Sequence, residues 1–362
     1  MLKGLLCALT AIAAVLSLCA FPCSAAPEAT PALSAESAVL IAAKDGSILA
    51  EKNAHRRMGM ASTTKMLTAL VALERLSLDK SIKIPKEAVG IEGSSVYLVE
   101  GEELTVRELL CALMLASAND AAVALAIAAS GSVDGFVAQM NDYVKRLGLE
   151  NTHLTNPHGL YDKEHYTTAY ELAIIAKAAL ENETLREISS TYKTTVRYCG
   201  KEGGRVLVNH NKMLKLYRGA IGLKTGFTKT TGRCLVSAAE RDGLTLIAVT
   251  LNAPDDWKDH AALLDLGFNN YRLELFANAG GFTCQMTVVG GKQESVTLTN
   301  TARLAFVVPK DQARATYVVE STSHFEYAPV IKDNFIATIT VRCGDQIQRS
   351  ELVSAHSVEK LK

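Results

Sequence analysis

Two apolar, strand-like runs in "SAVLIAAKDGSILAEK", Ser37 to Lys52, flank Lys44-Asp45-Gly46-Ser47, and this predicts a β-hairpin. From about Ser62 to Ala178 the pattern turns helical. "MGMASTTKMLTALVALE", Met58 to Glu74, is apolar on nearly every face, so its helix belongs in a core, yet Lys65 sits at its start. Thr105 and Glu108 have capping-box spacing ahead of Leu109, Leu110, Leu113 and Met114, which predicts a buried helix from Val106. That helix runs out near Ser117, where Asn119 or Asp120 could cap the next, "AAVALAIAA". Strand patterns return at "TTVRY", "RVLVN", "CLVSAAE" (Cys234 to Glu240) and "LTLIAVTL" (Leu244 to Leu251), followed by the helical "WKDHAALLDLGF".

Strands at both ends with helices between predict an α/β (α+β) domain over 27–274, its antiparallel sheet built from N- and C-terminal strands and packed on a helical region. From about Leu275 the pattern changes to short β runs, among them "ESVTLT", "LAFVVPK" and "FIATITVRC". These predict a small all-β sandwich over 275–355, then a short tail, 356–362.

Composition narrows the setting. With 38 basic and 38 acidic side chains the net charge is zero, so there is no electrostatic case for nucleic acid or an anionic membrane surface. Residues 1–26 read as a secretory signal: Lys3, the apolar "GLLCALTAIAAVLSLCAF" and the small-residue "PCSAA" with cleavage near Ala25 or Ala26. The alternative is an uncleaved anchor, since about 18 apolar residues is near the lower limit for spanning a bilayer. Either way the folded part is expected outside the cytoplasmic membrane, with peripheral membrane or cell-wall association possible. Removing Cys7, Cys19 and Cys23 leaves Cys111, Cys199, Cys234, Cys284 and Cys343, with no C-x-x-C pair, so neither a disulfide framework nor a zinc site is suggested. No cofactor is expected.

Ser-x-x-Lys occurs four times, at Ser62/Lys65, Ser77/Lys80, Ser190/Lys193 and Ser357/Lys360. Only Ser62 opens a long apolar helix, where residues three apart share a face. A serine hydroxyl needs a base before it is a useful nucleophile, and a lysine can serve only when neutral. Burial and the positive end of a helix both push it that way. The bland reading is an N-cap serine and a snorkelling lysine. Two further motifs shift the balance: Ser117-Ala118-Asn119 at the helix junction, and Lys224-Thr225-Gly226 before the strand at Cys234. In order, the chain carries S-x-x-K, S-x-N and K-T-G, the set shared by penicillin-binding proteins and serine β-lactamases.

On these motifs, and on "AVLIAAKDGSILAEKNA", "LGLENTHLTNPHGL", "GAIGLKTGFT" and "APVIKDNFIATITV", the sequence resembles the low-molecular-mass penicillin-binding proteins of the D-alanyl-D-alanine carboxypeptidase type, from about Ser37 to Val353. The resemblance implies a β-lactamase/transpeptidase-like domain with a C-terminal β-domain as pedestal, acting on peptidoglycan stem peptides and acylated by β-lactams. It implies Ser62 as nucleophile, Lys65 as base, and Ser117 with Lys224 passing a proton to the departing D-alanine. Lys224 and Thr225 would bind its carboxylate, Asn119 the peptide amide. The N–H groups of Ser62 and Phe227 would form an oxyanion hole, and Gly226 would leave room for substrate along the strand. Asn156, Pro157, His158 and Gly159 are expected to shape a loop, and His210 and His260 have no triad or metal-ligand spacing.

Two departures stand out. Some relatives carry an arginine after the last core strand that helps hold the terminal carboxylate, and here no arginine occurs between Arg241 and Arg272. Many end in an amphipathic membrane helix, for which "AHSVEKLK" is too short. The rivals are a β-lactamase, whose E-x-x-L-N loop is not found, a D,D-endopeptidase using the same residues, and a non-enzymatic β-lactam or peptidoglycan sensor.

Overall fold

The computed structural model describes residues 30–198 and 203–362, so the signal-like segment and Cys199 lie outside the described residues. The hairpin forms as β1 (Ser37–Ala42) and β2 (Ile48–Lys52). A 3-10 turn, Ala61–Thr64, then leads into α1 (Lys65–Leu73). The ribbon of β3 (Ser81–Lys83) and β4 (Glu103–Thr105) precedes α2 (Val106–Leu115), whose Thr105–Glu108 capping box is complete. After it come α3 (Asn119–Ser130), α4 (Val133–Arg146), α5 (Ala169–Glu181) and α6 (Glu183–Ser190). A second ribbon, β5 (Lys193–Val196) with β6 (Arg205–Val208), and one turn of helix, α7 (Met213–Leu216), lead to the last strands. These are β7 (Ala220–Gly222), β8 (Thr225–Thr228), β9 (Gly232–Arg241) and β10 (Leu244–Leu251), closed by α8 (Asp256–Asn270).

The main sheet runs β2-β1-β10-β9-β7, with β8 continuing the β7 edge on β9. β1 lies antiparallel to β10 from Ser37↔Leu251 to Ala42↔Leu246, so the two ends of the domain meet at the sheet centre. Successive side chains point to opposite faces. Val39, Ile41, Val236 and Val249 pack into the helical region, while Leu40, Leu246 and Ala248 pack on Leu263, Leu264 and Phe268 of α8. Both faces are covered, which is why β1 and β10 are apolar throughout instead of alternating. Among the described residues no single helix is long and apolar enough to cross a membrane.

The second domain begins earlier than expected. β11 (Tyr271–Ala277) follows α8 directly and pairs with β14 (Leu304–Pro309), so the 274/275 boundary falls inside a strand and the break is at Asn270. Facing this ribbon is a six-stranded sheet in the order β15-β17-β18-β13-β12-β16. Its strands are β12 (Thr283–Val289), β13 (Ser295–Asn300), β15 (Thr316–Ser321), β16 (Phe325–Tyr327), β17 (Phe335–Cys343) and β18 (Gln346–Ser354). Phe306, Ile339 and Leu352 fill the space between. Nor is 356–362 a free tail: Val358 bridges Val330 and is buried, and Lys360 bridges Gly291.

α8 rides close on the sheet at Gly267, where an added Cβ would come within 2.4 Å of Leu246 Cδ1 and 2.9 Å of Leu40 Cδ2. Gly267→Ala is therefore expected to lower stability by about 1–3 kcal/mol, the usual range for an overpacked core, measured by urea unfolding.

Candidate active site

Ser62 lies in the 3-10 turn, not at the head of the α-helix, and neither helical segment there has a side-chain cap, so Ser62 is not a capping serine. Lys65 does not snorkel either. Its side chain is completely buried, and its amine lies 2.9 Å from Ser62 Oγ, 2.6 Å from Asn119 Oδ1 and 2.6 Å from the His158 carbonyl oxygen. Burial pushes its pKa well below the ordinary lysine range, helped by the nearby Lys224 charge and opposed by Asp120. Once neutral, the amine has two N–H donors and one lone pair. Two of its partners are carbonyl oxygens, which only accept. The lone pair must then face Ser62, the one partner with a proton to give.

That triangle is held from several sides. Asn119 is oriented by its other end, Nδ2 donating to the Glu92 carbonyl at 2.5 Å. It caps nothing: the N-cap of α3 is Ala118, without a side-chain bond. Asp120, the other expected cap, is buried and accepts from Ser95 Oγ at 2.5 Å and from the Val96 and Leu98 N–H groups, pinning the 94–98 loop beside Asn119. The His158 carbonyl is set by Asn156, whose side chain accepts from the Gly159 N–H at 2.7 Å and donates to the Leu160 carbonyl at 3.0 Å. Loop shaping was the sequence expectation for this segment, and the direct contact of its backbone with Lys65 was not. Gly159 has φ +85°, and a Cβ there would meet the Ala61 carbonyl oxygen at 1.9 Å, so only glycine lets this loop reach the turn. His165 accepts the Thr155 N–H at Nδ1 and meets Thr64 Oγ1 at 2.8 Å through Nε2. Burial holds His158 and His165 down to about 4, so both are neutral braces.

On the opposite side Lys224 is also fully buried. Its amine donates to the Thr225 carbonyl at 2.8 Å, and burial brings it down to about 7. Ser117 sits at the α2–α3 junction with φ +60°, nearly buried, and its hydroxyl makes no hydrogen bond among the described residues. Strand β8 presents Thr225, Gly226 and Phe227 in register with Leu235, Cys234 and Arg233. Lys224 and Val236 exchange both backbone hydrogen bonds, so by antiparallel alternation the Thr225 and Phe227 N–H groups point away from β9. The Phe227 ring is exposed. Gly226 also has a packing task. A Cβ on it would lie 3.0 Å from Ser62 N and 3.1 Å from Ala61 Cβ, so the glycine lets β8 close on the turn that carries Ser62. Five of the expected residues lie together: Lys65 touches Ser62 and Asn119, Gly226 lies against Ser62, and Lys224 is close enough to act on Lys65 electrostatically, whereas Ser117 makes no hydrogen bond to any of them.

The family model described as D-alanyl-D-alanine carboxypeptidase matches residues 24–255. The chain belongs to this family. It is 32% identical over 331 residues to the D-alanyl-D-alanine carboxypeptidase DacF of Bacillus subtilis, covering 89% of this chain and 85% of that one. Among solved structures it is similar to a peptidoglycan synthesis regulatory factor (PBP3) of Streptococcus pneumoniae, with TM-score 0.75, 25% identity and 91% and 100% of the two chains covered. It is also similar to penicillin-binding protein 5 of Haemophilus influenzae, with TM-score 0.72, 27% identity and 91% and 99% covered.

Two other histidines serve this carboxypeptidase scaffold differently. His260 is buried between Ser237 Oγ (2.5 Å) and Thr250 Oγ1 (3.0 Å) and is held down to about 3, which makes it a neutral link between sheet and α8. His210 is exposed on the side of Lys224, and desolvation, then the Lys224 charge, lower its pKa.

The depressed Lys224 has a measurable consequence for stability. Between about 7 and the ordinary 10.5 the unfolded chain keeps a proton that the folded chain has lost, so Lys224 makes stability rise with pH across that window. Relative to Lys224→Met, the wild-type protein should gain stability between about pH 7 and pH 10 in urea titrations. A constant difference would mean that the buried amine keeps its proton.

Proposed function

We propose that this protein is a serine-type D-alanyl-D-alanine carboxypeptidase that removes the terminal D-alanine from peptidoglycan stem pentapeptides. The observation that carries the reading is the buried Lys65 amine, whose lone pair has Ser62 as its only possible proton donor. Ser62 Oγ bonds to the carbonyl carbon of the penultimate D-alanine while Lys65 takes its proton. Negative charge builds on the carbonyl oxygen, and the N–H groups of Ser62 and Phe227 stabilise it. Ser62 lies in the first turn of its helix, where N–H groups lack intrahelical acceptors, and the Phe227 N–H faces away from β9. The C–N bond then breaks, and Ser117 with Lys224 hands a proton to the departing amine. A near-neutral pKa suits Lys224 to this, since it can both give and recover a proton. Lys224 and Ser117 recover their proton from Lys65, which leaves that amine neutral again; water then adds to the Ser62 ester and loses a proton to Lys65, which returns it to Ser62 Oγ as the C–O bond breaks. The shortened peptide leaves as the acid, and Ser62 regains its hydrogen.

Asn119 acts first as the positioner of Lys65, with one amide hydrogen left for the substrate backbone. Thr225 contributes to holding the terminal carboxylate. A β-lactam offers the same acyl group on a ring that stays attached, so it should occupy Ser62 as a slow adduct. The signal-like start supports action on the outer side of the cytoplasmic membrane.

Fluorescent penicillin should label the protein at Ser62, and Ser62→Ala should abolish both labelling and repeated release of D-alanine from a pentapeptide. A mass-mapped adduct elsewhere, Ser77 included, would overturn the assignment. Gly226→Ala should slow acylation while leaving the protein folded, because the added methyl presses on the Ser62 turn; stopped-flow labelling alongside circular dichroism checks this.

A further inference from the structure

Away from the active site, a cavity of about 330 Å³ lies where the two domains meet. The first domain contributes Lys44, from the turn between β1 and β2, with Lys177 of α5 and Arg186 of α6. The second contributes Arg303, from the turn between β13 and β14. Four cations thus border one small space, and among the described residues Glu181 is the one carboxylate in its wall.

Their partners sort these cations into two kinds. Lys177 is spent on Glu181, at 2.6 Å, and Arg186 on Glu240, at 2.7 Å. Glu240 also accepts from Thr245 Oγ1 at 2.7 Å. Asp45, beside Lys44, accepts the Ser47 N–H at 3.0 Å. Lys44 and Arg303 have no hydrogen bond or ion pair among the described residues. Yet the two lie close enough that the Arg303 charge adds to burial in lowering the Lys44 pKa, against Asp45. A half-buried amine facing a second free cation carries both a desolvation cost and a repulsion, and an anion between them relieves both.

The backbone under each charge is fixed. The Lys44 turn is closed by the Ala43 N–H on the Thr245 carbonyl and the Gly46 N–H on the Ala42 carbonyl, both at 2.9 Å. The Arg303 turn is closed by Ser350 Oγ, which accepts the Thr301 and Ala302 N–H groups at 3.1 and 3.0 Å. A ligand then has little to order beyond the two side chains. Two uncommitted charges, one from each domain, match a dianion. A phosphate monoester carries close to two negative charges at neutral pH and offers three acceptor oxygens, and a guanidinium fork takes two of them.

We infer that this cavity binds a phosphate dianion, free or as the terminal monoester of a small molecule, held between Lys44 and Arg303 so that it ties the second domain to the first. The site stands apart from the chemistry at Ser62.

The test uses the whole protein in calorimetric titrations at fixed ionic strength, which holds general screening constant. Inorganic phosphate is expected to bind at least about tenfold more tightly than acetate or dimethyl phosphate, each of which has a single charge. Lys44→Gln and Arg303→Gln should each weaken phosphate roughly ten- to a hundredfold, the worth of one charge-assisted hydrogen bond. Glycerol 3-phosphate separates the two sources: affinity equal to that of phosphate assigns the site to a monoester, and exclusion assigns it to the free ion. Phosphate should also slow amide hydrogen exchange in both turns, 43–46 and 301–303, in wild type but not in Arg303→Gln. Circular dichroism checks that each variant is folded. Absence of phosphate binding, equal binding of acetate, unchanged affinity in either variant, or protection confined to one domain refutes the site.

Discussion

A lysine amine shut off from solvent must find its hydrogen-bond partners on the protein, and Lys65 finds three, two of them fixed from behind. Burying an ammonium costs several kcal/mol even after relaxation, so the site strongly favours the uncharged amine. Much of the domain serves that one environment. The 156–160 loop delivers a carbonyl, the 92–98 loop orients Asn119 and is itself tied to Asp120, and β8 closes the last side through Gly226.

The second buried lysine is solvated differently, and this divides the work. Lys65 has three partners, whereas Lys224 has the single carbonyl of Thr225. Their charges oppose each other, so a proton on one discourages a proton on the other. Burial is the largest cause of the lowered pKa of both amines, reinforced at Lys65 by the Lys224 charge.

Local signals in the sequence were reliable where the physics is local. The hairpin around Asp45-Gly46, the Thr105–Glu108 box and the apolar core strands all form where the pattern put them. Lys65 touches both Ser62 and Asn119, and Gly226 lies against the Ser62 turn. What escaped was long-range. A main-chain carbonyl such as that of His158 carries no residue signature, so its contact with Lys65 left no mark in the sequence. Asp120 looks like any helix-capping acid until the loop it holds is in place. The close approach of Gly226 to the Ser62 turn also joins residues far apart along the chain, which periodicity cannot express. The domain boundary was misjudged for a similar reason. Tyr271 to Ala277 is a single strand whose two ends serve different cores.

The pairing of β1 with β10 bears on how such a chain can mature. Synthesis proceeds from the amino end, so Ser62 and Lys65 exist long before Leu251, and until then β1 has no neighbour but β2. The turn bearing Ser62 likewise waits for β8, which arrives with the last strands. Contacts this distant along the chain form slowly. A nascent chain therefore carries its reactive pair disarmed, and competence appears only when the carboxyl-terminal strands dock.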